Sequence, residues 1–593
     1  MRQDNYKITQ YTINDILNYV ENSQIAIPEI QRPFVWKGKE VRDLIDSLYE
    51  GYPIGYLIVW QNSKVRLKGF GKGGTKKILI DGQQRVTALM AAILGKPVLN
   101  AQYQSERIRI GFNPYAKEEE DSFAVMDEKL EEDPLWIPDI SVLYRRGFSF
   151  RQFEREYKEK NPGVDTSILE KKLDRLRDII KYQVGIIELS FLLDIDVVSE
   201  IFIRINMQGR PLNQEDFVMS KIAVNEQYHG DQIRNAIDYF CHLLREPSFC
   251  DTLLQNEPDF MASEYGKTLT WTKDGVEDLY VPTYTDILKV VMIASFGRSK
   301  VGELVQLLSG REKGSIAVSE KLSRQAFEKL GQGVLAFIQK EHFLGFVKAV
   351  KKAGFTDSRL IYSHSLLNYS YAVYLIMAKE GIGEGERAQL IARFLYMALL
   401  TGHYLRGVDS TIARDCQGMS QMGVRGYLES LERENMGEGF FAKELPEKFR
   451  TTTVRTAPFL AFLAMLQAKD APSLYDRTQK TGDLYANRAE SYPILAKSYL
   501  TKLGSKEREV NSQVANILYL SKVSRSIVGR KAPKDYEAAL RDKVSQEDIT
   551  ETMKANAVPE DLFLVDSKDS ALEFLEKRRM SMAKQLREFY LGL

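Results

Sequence analysis

The stretch ILIDGQQRVTAL, residues 78–89, decides the fold of the N-terminal part of the chain. Its apolar run ends at Asp81, and apolar residues with a helical period resume after Gly82, so it predicts a buried strand, a tight turn and a helix. Residues 83–85 then fall on the first turn of that helix, where backbone N–H groups have no intrahelical acceptor and attract anions. The stretch is therefore a candidate phosphate site.

The side chains at this junction have the chemistry that a nucleotide phosphate needs. Arginine can form two parallel hydrogen bonds to phosphate oxygens, glutamine can orient a water molecule, and a carboxylate can hold a metal ion or the arginine. We expect catalytic roles for Asp81, Gln83, Gln84 and Arg85, with Asp81 also as a metal ligand. The alternative is a purely structural junction in which Asp81 caps the helix, and the pattern alone leaves both open.

The segments around this stretch alternate between helical and strand periods, which predicts an α+β unit. Helices are expected around residues 13–20, 41–48 and 86–94, and strands around residues 56–60, 77–80 and 184–189, with a further helix over residues 197–205.

Two other blocks present polar residues beside turns. In IPEIQRPFVW, residues 27–36, flanking prolines keep Gln31 and Arg32 in an extended segment. In FIRINMQGRPLNQEDF, residues 202–217, Arg204, Asn206 and Arg210 lie where a helix ends. Both blocks have structural alternatives: Arg32 could pair with a carboxylate such as Glu29, and the second block could be a helix C-cap followed by a new N-cap.

In this order, the blocks resemble the N-terminal domain of the GmrSD-type restriction family over roughly residues 8–225. The resemblance implies a ParB/sulfiredoxin-like fold, and nucleotide binding and hydrolysis that control DNA restriction against phage. It implies a nucleoside triphosphate with Mg2+ as cofactor, of unknown base. The residues predicted to bind this nucleotide are Gln31, Arg32, Gly82, Thr87, Arg204 and Asn206.

Length and composition limit the domain number, the partners and the location that can be expected for the whole chain. Its 593 residues predict three or four units, which we place at residues 1–225, at a mainly helical region over 226–469 and at a small C-terminal domain over 470–593. The net charge of +1 argues against binding nucleic acid through global charge. Three cysteines exclude a disulfide framework, and no apolar run of membrane-spanning length occurs, so we expect a cytoplasmic protein.

The C-terminal region resembles the HNH nuclease domain in which members of the family end. The matching segments are SYPILAKSYL, VNSQVANILYL and SRSIVGRKAPKDY. However, Tyr492 and Pro493 stand at the histidine positions, and no histidine follows His403. Because HNH chemistry needs a histidine base beside a divalent ion, we expect a degenerate domain without nuclease activity, kept for packing, DNA contact or partner recruitment.

Two basic stretches are candidate DNA contacts. KVRLKGFGKGGTKK contains Lys72, Lys76 and Lys77 without an acidic residue, and RSIVGRKAPK contains Arg530 and Lys531. A solvated basic hairpin explains the first stretch equally well.

These observations lead to one main hypothesis and one rival. The main hypothesis is a phage-defence protein whose N-terminal domain hydrolyses a nucleoside triphosphate to control the targeting of DNA, which could be modified. The rival is a non-catalytic adaptor that binds nucleotide or modified DNA and recruits a separate nuclease or another defence-system protein. Assembly into a homo-oligomer stays open under both.

Overall fold

The computed structural model describes most of the chain as two compact units, Met1–Glu257 and Pro258–Leu593. The described residues are 5–22, 24–26, 34, 36–62, 76–100, 104–117, 121–193, 197–198, 201, 214–223, 225, 227–311, 319–437, 439–505, 507 and 511–593. The boundaries predicted at residues 225 and 469 stay predictions.

The described part of the first unit combines short strands with helices. Its strands are β1 (Tyr6–Thr12), β2 (Ile25–Ala26), β3 (Leu57–Asn62), β4 (Lys76–Asp81), β5 (Val98–Leu99), β6 (Ser105–Glu106), β7 (Ile110–Phe112), β8 (Phe123–Val125) and β9 (Gln183–Leu189). Its α-helices are α1 (Ile13–Glu21), α2 (Gly38–Glu50), α3 (Gln83–Ile93), α4 (Glu128–Glu131), α5 (Phe150–Lys160), α6 (Thr166–Arg177), α7 (Gln214–Ala223), α8 (Gly230–Leu243) and α9 (Phe249–Asn256).

The central sheet of this unit has the strand order β1-β9-β3-β4-β2. Strand β9 pairs antiparallel with β1 and parallel with β3, whereas β3 and β4 run antiparallel. One sheet face packs into a large apolar core with α1, α2 and α3, through residues such as Ile16, Ile45 and Leu89. The opposite face carries a smaller cluster that includes Ile58, Trp60 and Leu189.

Local sequence explains where the helices of this core begin and end. The Thr12 hydroxyl accepts the amide hydrogen of Asp15, and the Asp15 carboxylate accepts from the Thr12 amide, a capping box that begins α1. Helix α2 ends at Gly51, whose φ of 80° is left-handed. The predicted helices around residues 13–20, 41–48 and 86–94 and the predicted strands around residues 56–60, 77–80 and 184–189 are confirmed to within a few residues at their ends. Most of the helix predicted over residues 197–205 lies outside the described residues.

The described part of the second unit is mostly helical. Its α-helices are α10 (Pro258–Ala262), α11 (Glu264–Leu269), α12 (Tyr284–Phe296), α13 (Glu303–Leu308), α14 (Glu320–Ile338), α15 (Lys340–Lys352), α16 (His364–Lys379), α17 (Glu384–Thr401), α18 (Val408–Asn435), α19 (Leu445–Lys448), α20 (Ala457–Ala468), α21 (Thr481–Ala486), α22 (Lys497–Lys502), α23 (Lys522–Val528), α24 (Pro533–Lys543), α25 (Gln546–Ala555) and α26 (Lys568–Leu591). Its strands are β10 (Pro472–Ser473), β11 (Asp476–Lys480), β12 (Ser491–Pro493) and β13 (Ile517–Tyr519).

The tyrosine-rich segment of α16 serves packing. Tyr371 and Tyr374 are fully buried, and the Tyr371 hydroxyl donates to the carbonyl oxygen of Phe337 at 2.6 Å. None of the helices in the described part of the chain is both long enough and apolar enough to cross a membrane.

The last part of the second unit has its own apolar cluster, which includes Leu495, Leu518 and Phe574. Strands β12 and β13 pair antiparallel, and helix α23 follows β13 directly. The molecule as described is thus a mixed α and β protein that is mostly helical, with small sheets. The ParB/sulfiredoxin-like and HNH-like assignments stay predictions.

Candidate functional site

Arg85 is the centre of the predicted site and is held by two contacts. Its Nη1 donates to the carbonyl oxygen of Ile54 at 2.8 Å, and its Nη2 donates to Asp81 Oδ2 at 3.1 Å. The side chain is 19% exposed and that of Asp81 is 26% exposed. Burial lowers the pKa of Arg85, yet an arginine stays charged at neutral pH. A fixed cation therefore lies at the junction of β4 and α3, with part of its surface open.

Two glycines allow the guanidinium to approach the backbone this closely. Gly55 has a φ of 84°, and a Cβ at this position would lie 2.8 Å from Arg85 Nη1. Gly82 has a φ of 94°, and a Cβ there would lie 2.1 Å from Leu57 Cδ2. Because left-handed backbone favours glycine and the space is filled at both positions, neither site accepts a larger residue without a shift.

The N-terminus of α3 is not capped by a side chain. Gly82 is the N-cap residue, and the Val86 amide makes the first intrahelical bond, to the Gly82 carbonyl at 3.0 Å. The Asp81 carboxylate is turned to Arg85. Asp81 therefore does not cap α3, and the catalytic and the purely structural interpretations of the junction both stay predictions. The positive end of the helix dipole lies beside Arg85.

The remaining residues of this motif differ in their surroundings. Gln83 Nε2 donates to the carbonyl oxygen of Leu79 at 3.2 Å, so its amide points back along β4. Gln84 and Thr87 are half-buried on the first turns of α3. The structure thus brings Asp81, Gly82 and Arg85 together, while the catalytic role of Gln83 and Gln84 and the nucleotide role of Thr87 stay predictions.

Several predicted site residues cannot be placed. Gln31, Arg32, Lys72, Arg204, Asn206 and Arg210 lie outside the described residues. Lys76 lies in β4. For Lys76 and for the residues outside the described ranges, the roles in binding nucleotide and DNA stay predictions.

Lys77 takes part in a charged cluster that the sequence did not indicate. We call it the Glu188 cluster, and its members are Lys7, Tyr11, Lys77 and Glu188. The Glu188 side chain is 4% exposed and accepts from Lys77, from the Tyr11 hydroxyl and, at 2.7 Å, from Lys7 Nζ. These partners hold the pKa of Glu188 down to about 2 against the opposing effect of burial. Lys77 is thus an ion-pair partner within the domain, whatever its role toward DNA.

In the second unit, Asn516, from the region predicted to be nuclease-like, supports the local fold. Asn516 Oδ1 accepts the amide hydrogen of Leu495 at 2.8 Å, and its Nδ2 donates to the carbonyl oxygen of Leu495 at 2.9 Å. Asn516 thus holds the loop that follows β12. His403 Nε2 lies 3.0 Å from Asp415 Oδ2, and both side chains are about 5% exposed, so this histidine is engaged inside the helical region.

The predicted DNA contacts of the second unit lie on a turn. Arg530 and Lys531 are exposed between α23 and α24. Within the described ranges, no group of three or more His, Cys, Asp or Glu side chains gathers in a way that could hold a metal ion. A Mg2+ ion at Asp81 would therefore depend on phosphate oxygens and water for its other ligands, as Mg2+ commonly does.

The comparison with known families bears on the first unit. Residues 13–223, about a third of the chain, match the family model described as "GmrSD restriction endonuclease, N-terminal domain". The match contains Asp81, Gly82 and Arg85, and it supports the resemblance to the GmrSD-type family over this region. No curated protein matches the chain.

Proposed function

We propose that the chain is a restriction-type phage-defence protein whose N-terminal unit binds and hydrolyses a nucleoside triphosphate to control the targeting of DNA. The observation that carries the proposal is the Arg85 guanidinium, fixed by Asp81 and Ile54 beside the uncapped start of α3. A fixed arginine and the end of a helix dipole together favour an anion with several oxygens. The match of residues 13–223 to a restriction family supports the biological class.

The chemistry divides among the residues of the site. Arg85 binds the phosphate oxygens and stabilises the charge that develops on them. Asp81 orients Arg85 and can hold Mg2+, which when bound neutralises phosphate charge. Gln83 or Gln84 positions water or contacts the base, and Gly82 lets the backbone turn close to the ligand.

The test is phosphate release from each of the four ribonucleoside triphosphates with Mg2+, with and without plain and modified DNA. We expect Arg85→Ala to lower the release rate by about a hundredfold or more, in the range seen when a preorganised charge-stabilising group is removed. Turnover close to that of the native protein would take Arg85 out of the mechanism.

Arg175 offers a matched control in the same unit. Its Nε donates to the carbonyl oxygen of Tyr49, and its Nη2 donates to Glu50 Oε2, both at 3.0 Å. Arg175→Ala therefore removes the same kinds of contact as Arg85→Ala, and we expect it to leave phosphate release unchanged. An equal loss in both variants would indicate general destabilisation.

The second candidate function is a non-catalytic adaptor that binds nucleotide or modified DNA and recruits a separate nuclease. Tyr492 and Pro493 at the histidine positions of the nuclease-like region favour it, because a chain without its own nuclease base must act through a partner or through nucleotide chemistry. Folded protein that releases no phosphate under any of the conditions above, and that co-purifies with a nuclease, would establish the adaptor.

A further inference from the structure

The connection between α23 and α24 concentrates positive charge. Residues 522–534, KVSRSIVGRKAPK, contain five Lys or Arg residues and no acidic residue, and the first acid that follows is Asp535. The net charge of the chain is only +1. The charge is therefore local, and a local basic surface is the feature that attracts a polyanion.

The backbone of the turn between α23 and α24 is held by a hydrogen bond from β12. Gly529 ends α23 with a φ of 53° and a ψ of −148°. The hydroxyl of Tyr492, from β12, donates to the carbonyl oxygen of Gly529. The hydrogen bond connects the turn to the two-stranded sheet of β12 and β13, and Arg530 and Lys531, which follow directly, are exposed.

The Tyr492 ring lies beside one guanidinium group. The Arg525 guanidinium carbon lies 6.0 Å from the ring centroid, and Arg525 donates to the carbonyl oxygen of Glu490. Burial raises the pKa of Tyr492, and the positive charges of Arg530 and Arg525 oppose that rise. Glu490 Oε2, at 3.7 Å from Arg525 Nη1, is the carboxylate that faces this group.

We infer that Arg525, beside Tyr492, and Arg530 and Lys531, exposed on the turn that Tyr492 holds, form a phosphodiester site that binds the backbone of nucleic acid without a divalent metal. The site holds the strand and does not cut it. Two cations on the turn and one on α23 provide positive charge for backbone phosphates, and contacts to phosphates carry no sequence information. Binding is therefore expected to be independent of sequence.

The experiment measures the affinity of the full chain for a 20-base-pair DNA duplex by fluorescence anisotropy in EDTA over a range of salt concentrations. We expect the native protein to bind in EDTA. In Arg530→Ala/Lys531→Ala, binding should weaken on the order of tens of fold at ~0.1 M salt, and the slope of log K against log salt should fall in magnitude by about two.

A matched control removes two charges elsewhere in the same unit. Lys321 and Arg324 are exposed on α14, and Lys321→Ala/Arg324→Ala should keep the native affinity and slope. Three results would overturn the inference: no DNA binding by the native chain in EDTA, native affinity in the Arg530/Lys531 variant, or an equal loss in both double variants.

The nucleotide chemistry proposed for the first unit is separable from this site. Phosphate release in the absence of DNA should be the same in the Arg530/Lys531 variant and in the native chain. Failure of one proposal therefore leaves the other standing. Loss of nucleotide binding without loss of DNA binding in that variant would assign the cations to the nucleotide and overturn the DNA site.

Discussion

The central sheet of the first unit has a charged group at each end of strand β4, and the two groups have opposite characters. At one end, Glu188 is 4% exposed and is surrounded by two lysines and a tyrosine. At the other end, about 13 Å along the strand, Asp81 and Arg85 are 26% and 19% exposed and share one hydrogen bond. Both groups contain a carboxylate on the sheet and a cation, which is on the sheet for Glu188 and on α3 for Asp81.

The two groups differ in the hydrogen-bonding capacity that they have for a ligand. The Glu188 carboxylate accepts from three donors, so a ligand would have to displace a partner. Arg85 makes two described hydrogen bonds out of the five that a guanidinium can donate. We therefore expect substitutions in the Glu188 cluster to lower stability, and substitutions of Asp81 and Arg85 to lower function.

Glu188→Gln should give the largest effect on stability. It removes a buried charge and leaves two cations without their counter-ion, which is costly. Because Lys7 is 71% exposed and Lys77 is 25% exposed, water offsets part of the loss, and we expect about 2–3 kcal/mol. Hydrogen exchange of the β9 amides in the full chain measures the opening free energy, with the phosphate release rate as the second readout. Unchanged exchange would show that the cluster does not stabilise the sheet.

The stabilisation from Glu188 should disappear in acid. Its pKa falls from 4.5 to about 2 on folding, so the contribution is complete above pH 4.5 and is lost as the pH falls through the range down to about 2. The Tm of the native protein should exceed that of Glu188→Gln by a constant amount from pH 7 to pH 5, and the difference should shrink by more than half near pH 3. A Tm difference that is constant down to pH 3 would contradict the low pKa.

Asp81→Asn should distinguish the functional group at one end of β4 from the stabilising group at the other. The Asp81–Arg85 pair is partly exposed, and such pairs contribute at most about 1 kcal/mol to stability. We expect only a small change in the exchange of β4 amides, with phosphate release lowered about tenfold because Arg85 is oriented less well. A larger effect on stability than that of Glu188→Gln would reverse the comparison.

Tyr11→Phe is the mildest change to the Glu188 cluster. It keeps the ring, which packs edge to face against Tyr19 at 5.4 Å, and removes the hydroxyl that donates to Glu188. We expect a loss of about 1 kcal/mol in the opening free energy of β1, the usual size for one hydrogen bond, and no change in phosphate release. Tyr19→Phe is the control, because it leaves the contacts of Glu188 intact.

The elements around Asp81 were predictable because their signals are local. An apolar run, a glycine and a helical period occur within 12 residues of sequence, and the observed β4 and α3 follow them. The strand at Gln183–Leu189 was predictable for the same reason. The contact between Arg85 and Ile54 was not, since it depends on a turn 31 positions away.

The Glu188 cluster could not be predicted from one sequence. Glu188 is a single carboxylate in an otherwise apolar strand, a pattern equally typical of a residue that faces solvent. Its partners Lys77 and Tyr11 lie 111 and 177 positions away, and no local period connects them. Strand β1 was missed for a related reason: its residues are mostly exposed, so YKITQYT has no buried apolar face to mark it.

The pairing of β1 with β9 also has a consequence during protein synthesis. Tyr6 pairs with Leu189, so the first strand of the sheet is made long before its neighbour. At a translation rate of about 5–20 residues per second, the ribosome needs roughly 10–35 s to add the residues between them. The nascent chain must keep β1 unpaired for that interval, and the sheet can close only after β9 has left the ribosomal exit tunnel.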